Sequence, residues 1–224
     1  MPIEVSPSSS TPVPTVYVVD DDDSMRRSLC RLLEAAEIPV AEFASAAEFL
    51  DSNSSQTAGC LLLDLSMPGF SGLELQEILV RTGRALPIVF LTGRGDVPSS
   101  VRAMKSGAVD FLIKPVPKAQ LIAAIKTAFA RDQAARTVRA EQNEMRRRLS
   151  RLTPREAEVV RLVARGLLNK QIASVLGTVE KTVKVHRSRA LTKLEISSVA
   201  DLVRLLERAQ MPAEGDAVEE LQTA

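Results

Sequence analysis

Several short apolar runs in this sequence end on a residue that can do chemistry. Val18 and Val19 are followed by Asp20, Asp21, Asp22 and Asp23, and Leu61–Leu63 by Asp64. Val89–Leu91 is followed by Thr92 and Gly93, and Phe111–Ile113 by Lys114 and Pro115. Carboxylates gathered at one edge repel one another unless a cation sits among them. A hard divalent ion with oxygen ligands answers that repulsion, and Mg²⁺ keeps several waters in such partial sites. Lys114 brings a second compensating charge. The chemistry that fits is phosphoryl transfer to a carboxylate. Metal and ammonium would hold the equatorial oxygens while Asp64 attacks in line. Thr92 would donate a hydrogen bond to the new phosphate, and Gly93 would leave room for it to enter. Each residue alone has a plainer use. A strand-end aspartate often caps the next helix, as Asp22 or Asp23 could, and a Lys before Pro is usually a surface charge. The joint spacing over four runs is what carries the reading, because parallel sheets bind ligands beyond the carboxyl ends of their strands.

Such a site needs strands to deliver it. Thr15–Val19, Cys60–Asp64, Pro87–Leu91 and Asp110–Ile113 read as buried strands, with Val40–Phe43 as a weaker fifth. Ser24–Ala36, Gly72–Arg81 and Pro98–Ser106 read as helices between them. Strands alternating with helices call for a parallel sheet covered on both faces. Helical signal then continues from Lys118 to about Ser150. Its first part has an apolar stripe, Leu121, Ile122, Ile125, Ala128 and Phe129, suited to packing on the sheet. Beyond Ala130 only Val138, Met145, Leu149 and Leu152 hint at a seam, in a segment read as a single linking helix. The sequence therefore divides into a disordered Ser/Pro/Thr-rich lead-in (1–14), an α/β domain (15–130), a helical linker (131–149), an all-α domain (150–209) and a disordered tail (210–224).

Charge divides the chain too. Residues 1–130 carry 11 Lys and Arg against 15 Asp and Glu, residues 131–210 carry 18 against 9, and residues 211–224 carry none against 4. An acidic front and a basic back suit different partners, a polyanion being the natural one for the second. With no Trp and one Tyr, stacking on single-stranded nucleic acid is not the expected mode. Cys30 and Cys60 lie among leucines and are expected to be reduced and buried. There is no secretory signal pattern and no apolar run near the ~20 residues of a membrane helix. A cytoplasmic protein is expected.

The segments VVDDDDSMRRSL, LLLDLSMPGFSGLEL, IVFLTGRGDVP and GAVDFLIKP resemble the response-regulator receiver family over residues 15–130. That resemblance implies a flavodoxin-like fold of five parallel strands and five helices. It implies Asp64 as phosphoacceptor and Asp21 as a direct Mg²⁺ ligand, with Asp20 acting largely through water and Ser66 offering its backbone carbonyl. Lys114 would pair with the phosphate, and the Lys114–Pro115 bond would be cis. Thr92 and Phe111 match the family's switch pair. That aromatic position often carries Tyr, and Phe can turn inward but has no hydroxyl to bond. The phosphoryl donor would be a sensor histidine kinase.

In the basic part, Thr153 can cap a helix, Pro154 suits its first position and Glu156 can close a capping box. Asn169–Leu176 and Glu180–Leu194 flank Gly177 and read as a helix-turn-helix, with Ile172, Ala173, Leu176, Val183 and Leu191 available to join them. The second helix carries Lys181, Lys184, Arg187, Arg189 and Lys193, and suits the major groove of DNA. Residues 150–208 resemble the LuxR/FixJ-type helix-turn-helix family. Carried over by position, Lys184, Val185 and Ser188 face bases, whereas Lys170, Lys181, Thr182 and Arg187 contact phosphates. His186, the sole His, has packing or a phosphate contact as its plain role. Receiver plus this domain implies a transcriptional regulator that dimerises on phosphorylation and binds promoter DNA, with RNA polymerase a candidate partner.

One departure bears on the recognition helix. The position before it usually holds Ser or Thr as N-cap, and this chain has Val179, preceded by Thr178. Either Thr178 caps a helix that begins a residue early, or the helix starts uncapped at a cost of ~1 kcal/mol. Two other functions compete. Haloacid-dehalogenase-like phosphatases also use a strand-end Asp but place a general acid two residues later, where this chain has Ser66. An atypical receiver that only dimerises would not need the Asp21, Asp64, Thr92 and Lys114 set.

Overall fold

The computed structural model describes residues 13–52, 58–83, 86–93 and 97–209. Most of the expected lead-in and the whole tail lie outside them. The chain forms two compact units that divide between Ala135 and Arg136.

The first unit is a five-stranded sheet built from β1 (Thr15–Val19), β2 (Val40–Phe43), β3 (Gly59–Asp64), β4 (Ile88–Thr92) and β5 (Asp110–Ile113). All neighbours pair in parallel, in the order β2-β1-β3-β4-β5, the doubly wound order of flavodoxin-like folds. Helices α1 (Asp23–Glu34), α2 (Ala46–Asp51), α3 (Gly72–Arg81), α4 (Val97–Lys105) and α5 (Lys118–Ser150) follow the strands in turn. Because successive strand residues point to opposite faces, the sheet feeds two cores. Tyr17, Val19, Leu61, Leu63 and Phe90 pack with Phe49, Leu75 and Leu79 on one face. Val16, Val18, Leu62, Leu91 and Leu112 pack with Leu29, Leu33, Leu121 and Ile125 on the other. This double burial is why β1, β3 and β4 read as continuous apolar runs rather than alternating ones.

Some boundaries differ from the sequence reading. Strand β4 begins after Pro87, which has no N–H to donate; its carbonyl still accepts from the Leu61 N–H at 2.9 Å. The strand runs on through Thr92, whose carbonyl accepts from the Lys114 N–H at 2.7 Å. Helix α1 starts one residue earlier and ends two residues sooner than periodicity suggests. Helix α2 has too few turns to show periodicity. Its signal is the cap, with Ser45 accepting from the Glu48 N–H and Glu48 accepting from the Ala44 N–H at 2.7 Å. Cys30 is half-buried rather than buried, and both cysteines are free thiols. Burial pushes them up, Cys30 to about 11 and Cys60 to about 12.

Helix α5 has 33 residues and is continuous from the first unit into the second. Just past its apolar stripe, Asp132 is buried and accepts from the Gly59 N–H at 3.0 Å. That contact ties the helix to the start of β3. Asp132→Ala leaves a buried donor without a partner, and we expect it to lower the stability of this unit by about 1–3 kcal/mol, measured by urea unfolding. A change under ~0.5 kcal/mol would remove the tether from the account.

The second unit comprises the end of α5 with α6 (Pro154–Ala164), α7 (Asn169–Val175), α8 (Glu180–Leu194) and α9 (Val199–Arg208). Val159, Val160, Ile172, Val183, Leu194 and Leu202 form its core. Met145, Leu149 and Leu152 pack against that core, so the seam suggested by their spacing is used inside this unit. Thr153 and Glu156 form the expected capping box, with Pro154 at the first helical turn. Glu156 is also buried and accepts from Lys193 Nζ at 2.6 Å. The Lys193 hydrogen bond and the Thr153 N–H together lower its pKa to about 2. An unfolded Glu titrates near its ordinary value of ~4.3. The Glu156 contribution is therefore complete above that value and is lost as pH falls from there towards 2. Acid unfolding of this unit between pH 5 and pH 3 should be shallower in Glu156→Gln than in the parent; equal slopes would contradict the assignment.

Candidate functional site

Strand register sets the first cluster. Val19 pairs with Leu63, Asp64 with Leu91, and Thr92 with Ile113. Asp20, Asp64, Thr92 and Lys114 therefore leave the sheet at one edge. Asp20 and Asp64 are buried, at 1% and 6% exposure, as is Thr92. Lys114 Nζ donates to Asp20 Oδ2 at 2.7 Å and to Asp64 Oδ1 at 2.6 Å. Burial disfavours the charge on Lys114, but the bonds to Asp20 and Asp64 outweigh it and raise its pKa above the ordinary lysine value. The remaining carboxylate oxygens face backbone. Asp20 Oδ1 accepts from the Asp22 N–H at 2.9 Å, and Asp64 Oδ2 from the Ser66 N–H at 2.8 Å. The Lys114–Pro115 peptide is cis.

Neighbouring residues fix these positions. Asp22 caps α1, accepting from the Ser24 and Met25 N–H groups, which leaves Asp21 exposed beside the cluster. Arg26 is a positioning residue that the sequence reading missed. It is buried, donates to the Asp20 carbonyl at 2.9 Å, and pairs with Asp23 and Glu42. Gly72 sits under the end of β3, where an added Cβ would lie 2.5 Å from the Asp64 carbonyl oxygen. Any side chain there would push the Asp64 loop outward. Phe111 is half-buried, with its ring centroid 6.2 Å from that of Phe90.

Of the sequence-derived metal set, Asp20 and Asp64 are brought together through Lys114, and Asp21 is not drawn in. Among the described residues no group of three or more potential ligating side chains is preassembled. The donors nevertheless suit Mg²⁺, which binds through one or two carboxylates and retains water. They are hard oxygens, two of them on buried carboxylates that share a single ammonium.

The second cluster is the helix-turn-helix. Gly177 makes the turn at φ 62°, where a side chain is disfavoured. Helix α8 begins at Glu180 after Val179, which gives no side-chain cap, so of the two registers the uncapped one is present. Val183, Ala190 and Leu194 turn inward, while Lys181, Lys184, Val185 and Ser188 are exposed along one face of α8. Lys170 is exposed and Thr182 half-buried. Lys184 pairs with Glu180 at 2.9 Å. Arg187 is half-buried and donates to Asn169 Oδ1 at 3.0 Å. Lys193 is likewise engaged with Glu156. Neither pairing has a sequence signal, because each links positions far apart in the chain.

Known proteins match both clusters. The family model for the response regulator receiver domain covers residues 16–126, and the model for bacterial regulatory proteins of the luxR family covers residues 150–206. Nodulation protein W of Bradyrhizobium diazoefficiens is 45% identical over 192 residues, spanning 86% of this chain and 85% of that protein. Transcriptional regulatory protein FixJ of Azorhizobium caulinodans is 41% identical over 190 residues, spanning 85% and 90%. The solved structure of the response regulator StyR superposes with a TM-score of 0.77 at 47% identity, covering 87% of this chain and 98% of that one. Among the described residues no helix is long and apolar enough to cross a membrane. The chain belongs to the two-component response regulators that join a receiver domain to a LuxR-family DNA-binding domain, and it is a phosphorylation-dependent transcriptional regulator.

Proposed function

We propose that Asp64 accepts a phosphoryl group from a sensor histidine kinase in the cytoplasm, and that the phosphorylated chain pairs with a second copy to bind promoter DNA. The observation that carries this reading is Lys114, held by two buried carboxylates at the strand edge. As the phosphoryl group arrives, Asp64 Oδ1 gives up its bond to Lys114 and attacks phosphorus, while the P–N bond to the kinase histidine breaks and its electron pair leaves with the imidazole. The ammonium, still anchored by Asp20, then turns to a phosphoryl oxygen. Thr92 donates its hydroxyl to another. Asp20, Asp21, Asp64 and the Ser66 carbonyl would hold Mg²⁺, which when bound neutralises the phosphoryl oxygens.

The family is one of transcription regulators rather than an enzyme class, and Ser66 offers no general acid for phosphatase turnover. The pairing surface would be α4 and β5, where Val97, Val101, Met104 and Ile113 are large apolar side chains left exposed. With Thr92 drawn to the phosphate, Phe111 would move further in and reshape that face. A dimer held by the linker is disfavoured, since Met145 and Leu149 are engaged in the second unit's own core. RNA polymerase would be met through the DNA-bound dimer. The test is retention of genomic promoter fragments by the protein before and after treatment with acetyl phosphate and Mg²⁺. Specific fragments should be enriched only after treatment; the same fragments at the same affinity in both states would overturn the proposal.

A further inference from the structure

Helix α3 buries Gly72, Leu75, Gln76 and Leu79 along one stripe. Their spacing is that of a core face, where glutamine is uncommon. Gln76 is nonetheless only 2% exposed. Its Nε2 donates to the Ala103 carbonyl at 3.2 Å and to the Ser106 carbonyl at 3.2 Å. Two carbonyls can face only the N–H side of the amide, so its partners fix its orientation. Oε1 is left buried with no hydrogen-bond partner, the one such side-chain atom among the described residues.

Both carbonyls belong to the C-terminal end of α4. Ala103 is fully buried in its last turn. Gly107, at φ 91°, turns the chain out of the helix, as glycine does at helix ends. The end is closed by the Gly107 N–H on the Met104 carbonyl at 3.0 Å and the Ala108 N–H on the Ala103 carbonyl at 3.1 Å. Beside it lies a cavity of about 440 Å³, lined by Gln76, Leu79, Ser106, Gly107 and Val109 among others, so the end of α4 has room to shift. Leaving a buried acceptor unpaired costs about as much as the two bonds of Nε2 contribute. Gln76 therefore holds α4 only weakly. Glu77, next along α3, pairs with Arg102 of α4 at 3.0 Å, but in solvent, where such a pair contributes little.

We propose that Gln76 is a positioning residue that clamps the end of α4 in the chain without phosphate and so restrains the α4 and β5 face from pairing. The inference rests on the pairing surface proposed above. In the state without phosphate, Lys114 is bonded to Asp64 and Gln76 to the end of α4. Phosphorylation then has only a weak clamp to overcome, and the released face adopts the arrangement that pairs. Gln76 touches none of the residues that take or hold the phosphoryl group, so it sets the balance between the two arrangements without entering the chemistry.

Gln76→Met keeps the length of the side chain and removes both the donor and the unpaired acceptor. In the full chain without phosphate, the Gly107 and Ala108 amides of this variant should exchange with solvent faster than in the parent. Those of Leu62 and Leu63 in β3 should exchange as before. Sedimentation of the same samples should show the untreated variant pairing about tenfold more tightly than the untreated parent. After acetyl phosphate and Mg²⁺, the two proteins should pair alike and carry equal label. Unchanged exchange at Gly107 and Ala108, or untreated pairing equal to the parent's, would overturn the inference. So would faster exchange in β3 with weaker pairing in both states, because that is a general loss of stability. A parent that stays single after verified phosphorylation would remove the pairing surface itself, and that result is read on the parent alone.

Discussion

Asp64→Asn should reduce labelling by acetyl phosphate in Mg²⁺ to background, because an amide oxygen is a poor nucleophile and the substitution removes a ligand charge. The variant should remain folded. An amide oxygen can still accept from the Ser66 N–H, and Lys114 keeps its bond to Asp20. Loss of labelling would therefore report chemistry rather than unfolding, which far-ultraviolet circular dichroism can confirm on the same sample. Undiminished phosphate on the Asp64→Asn protein, located by peptide mass spectrometry, would move the acceptor elsewhere, with Asp20 as the carboxylate that shares Lys114.

The second large effect concerns sequence reading by α8. Lys184→Ala should reduce discrimination between cognate and random DNA by ~1–3 kcal/mol if this side chain reads a base edge. Its ion pair with Glu180 does not stand in the way. The pair is solvent-exposed, and such pairs contribute only ~0–1 kcal/mol, so a base can replace Glu180 at little cost. Lys181→Ala should instead weaken cognate and random binding alike and lower the salt slope by about one. Fluorescence anisotropy at several salt concentrations separates the two behaviours. An unchanged specificity ratio in Lys184→Ala would reassign the base contact, with Val185 and Ser188 the exposed non-phosphate candidates on that face.

The sequence made the first cluster legible because double burial forces apolar runs on the central strands, so a polar residue at the end of each run stands out. Asp20, Asp64 and Thr92 could each be located by that break, and Lys114 by the end of the shorter apolar run Phe111–Ile113 on the edge strand. The C-terminal capping box was equally plain, since Thr153, Pro154 and Glu156 act within one turn. What could not be read were contacts between distant positions whose residue types are common on surfaces. Arg26 looks like any solvated charge on α1 until it is found buried against the Asp20 carbonyl. Arg187 gives no sign in the sequence that Asn169 accepts from it. Met145, Leu149 and Leu152 have a spacing that suits a coiled-coil seam and a packed helix equally well, and only the fold of α6 and α9 decides between them. Helix α2 escaped for a different reason: six residues are too few for a period, so its evidence lay in Ser45 and Glu48.

The central claim is that phosphate on Asp64 joins two chains and thereby places two recognition helices on two half-sites. It requires no new contact with DNA, because linking two weak modules raises affinity through effective concentration. Light scattering coupled to size exclusion, at micromolar protein, measures this most directly. The untreated protein should have the mass of one chain, 24.3 kDa. Treatment with acetyl phosphate and Mg²⁺ should double that mass in the parent and leave it unchanged in Asp64→Asn. A parent protein with the same mass before and after verified phosphorylation would contradict the account.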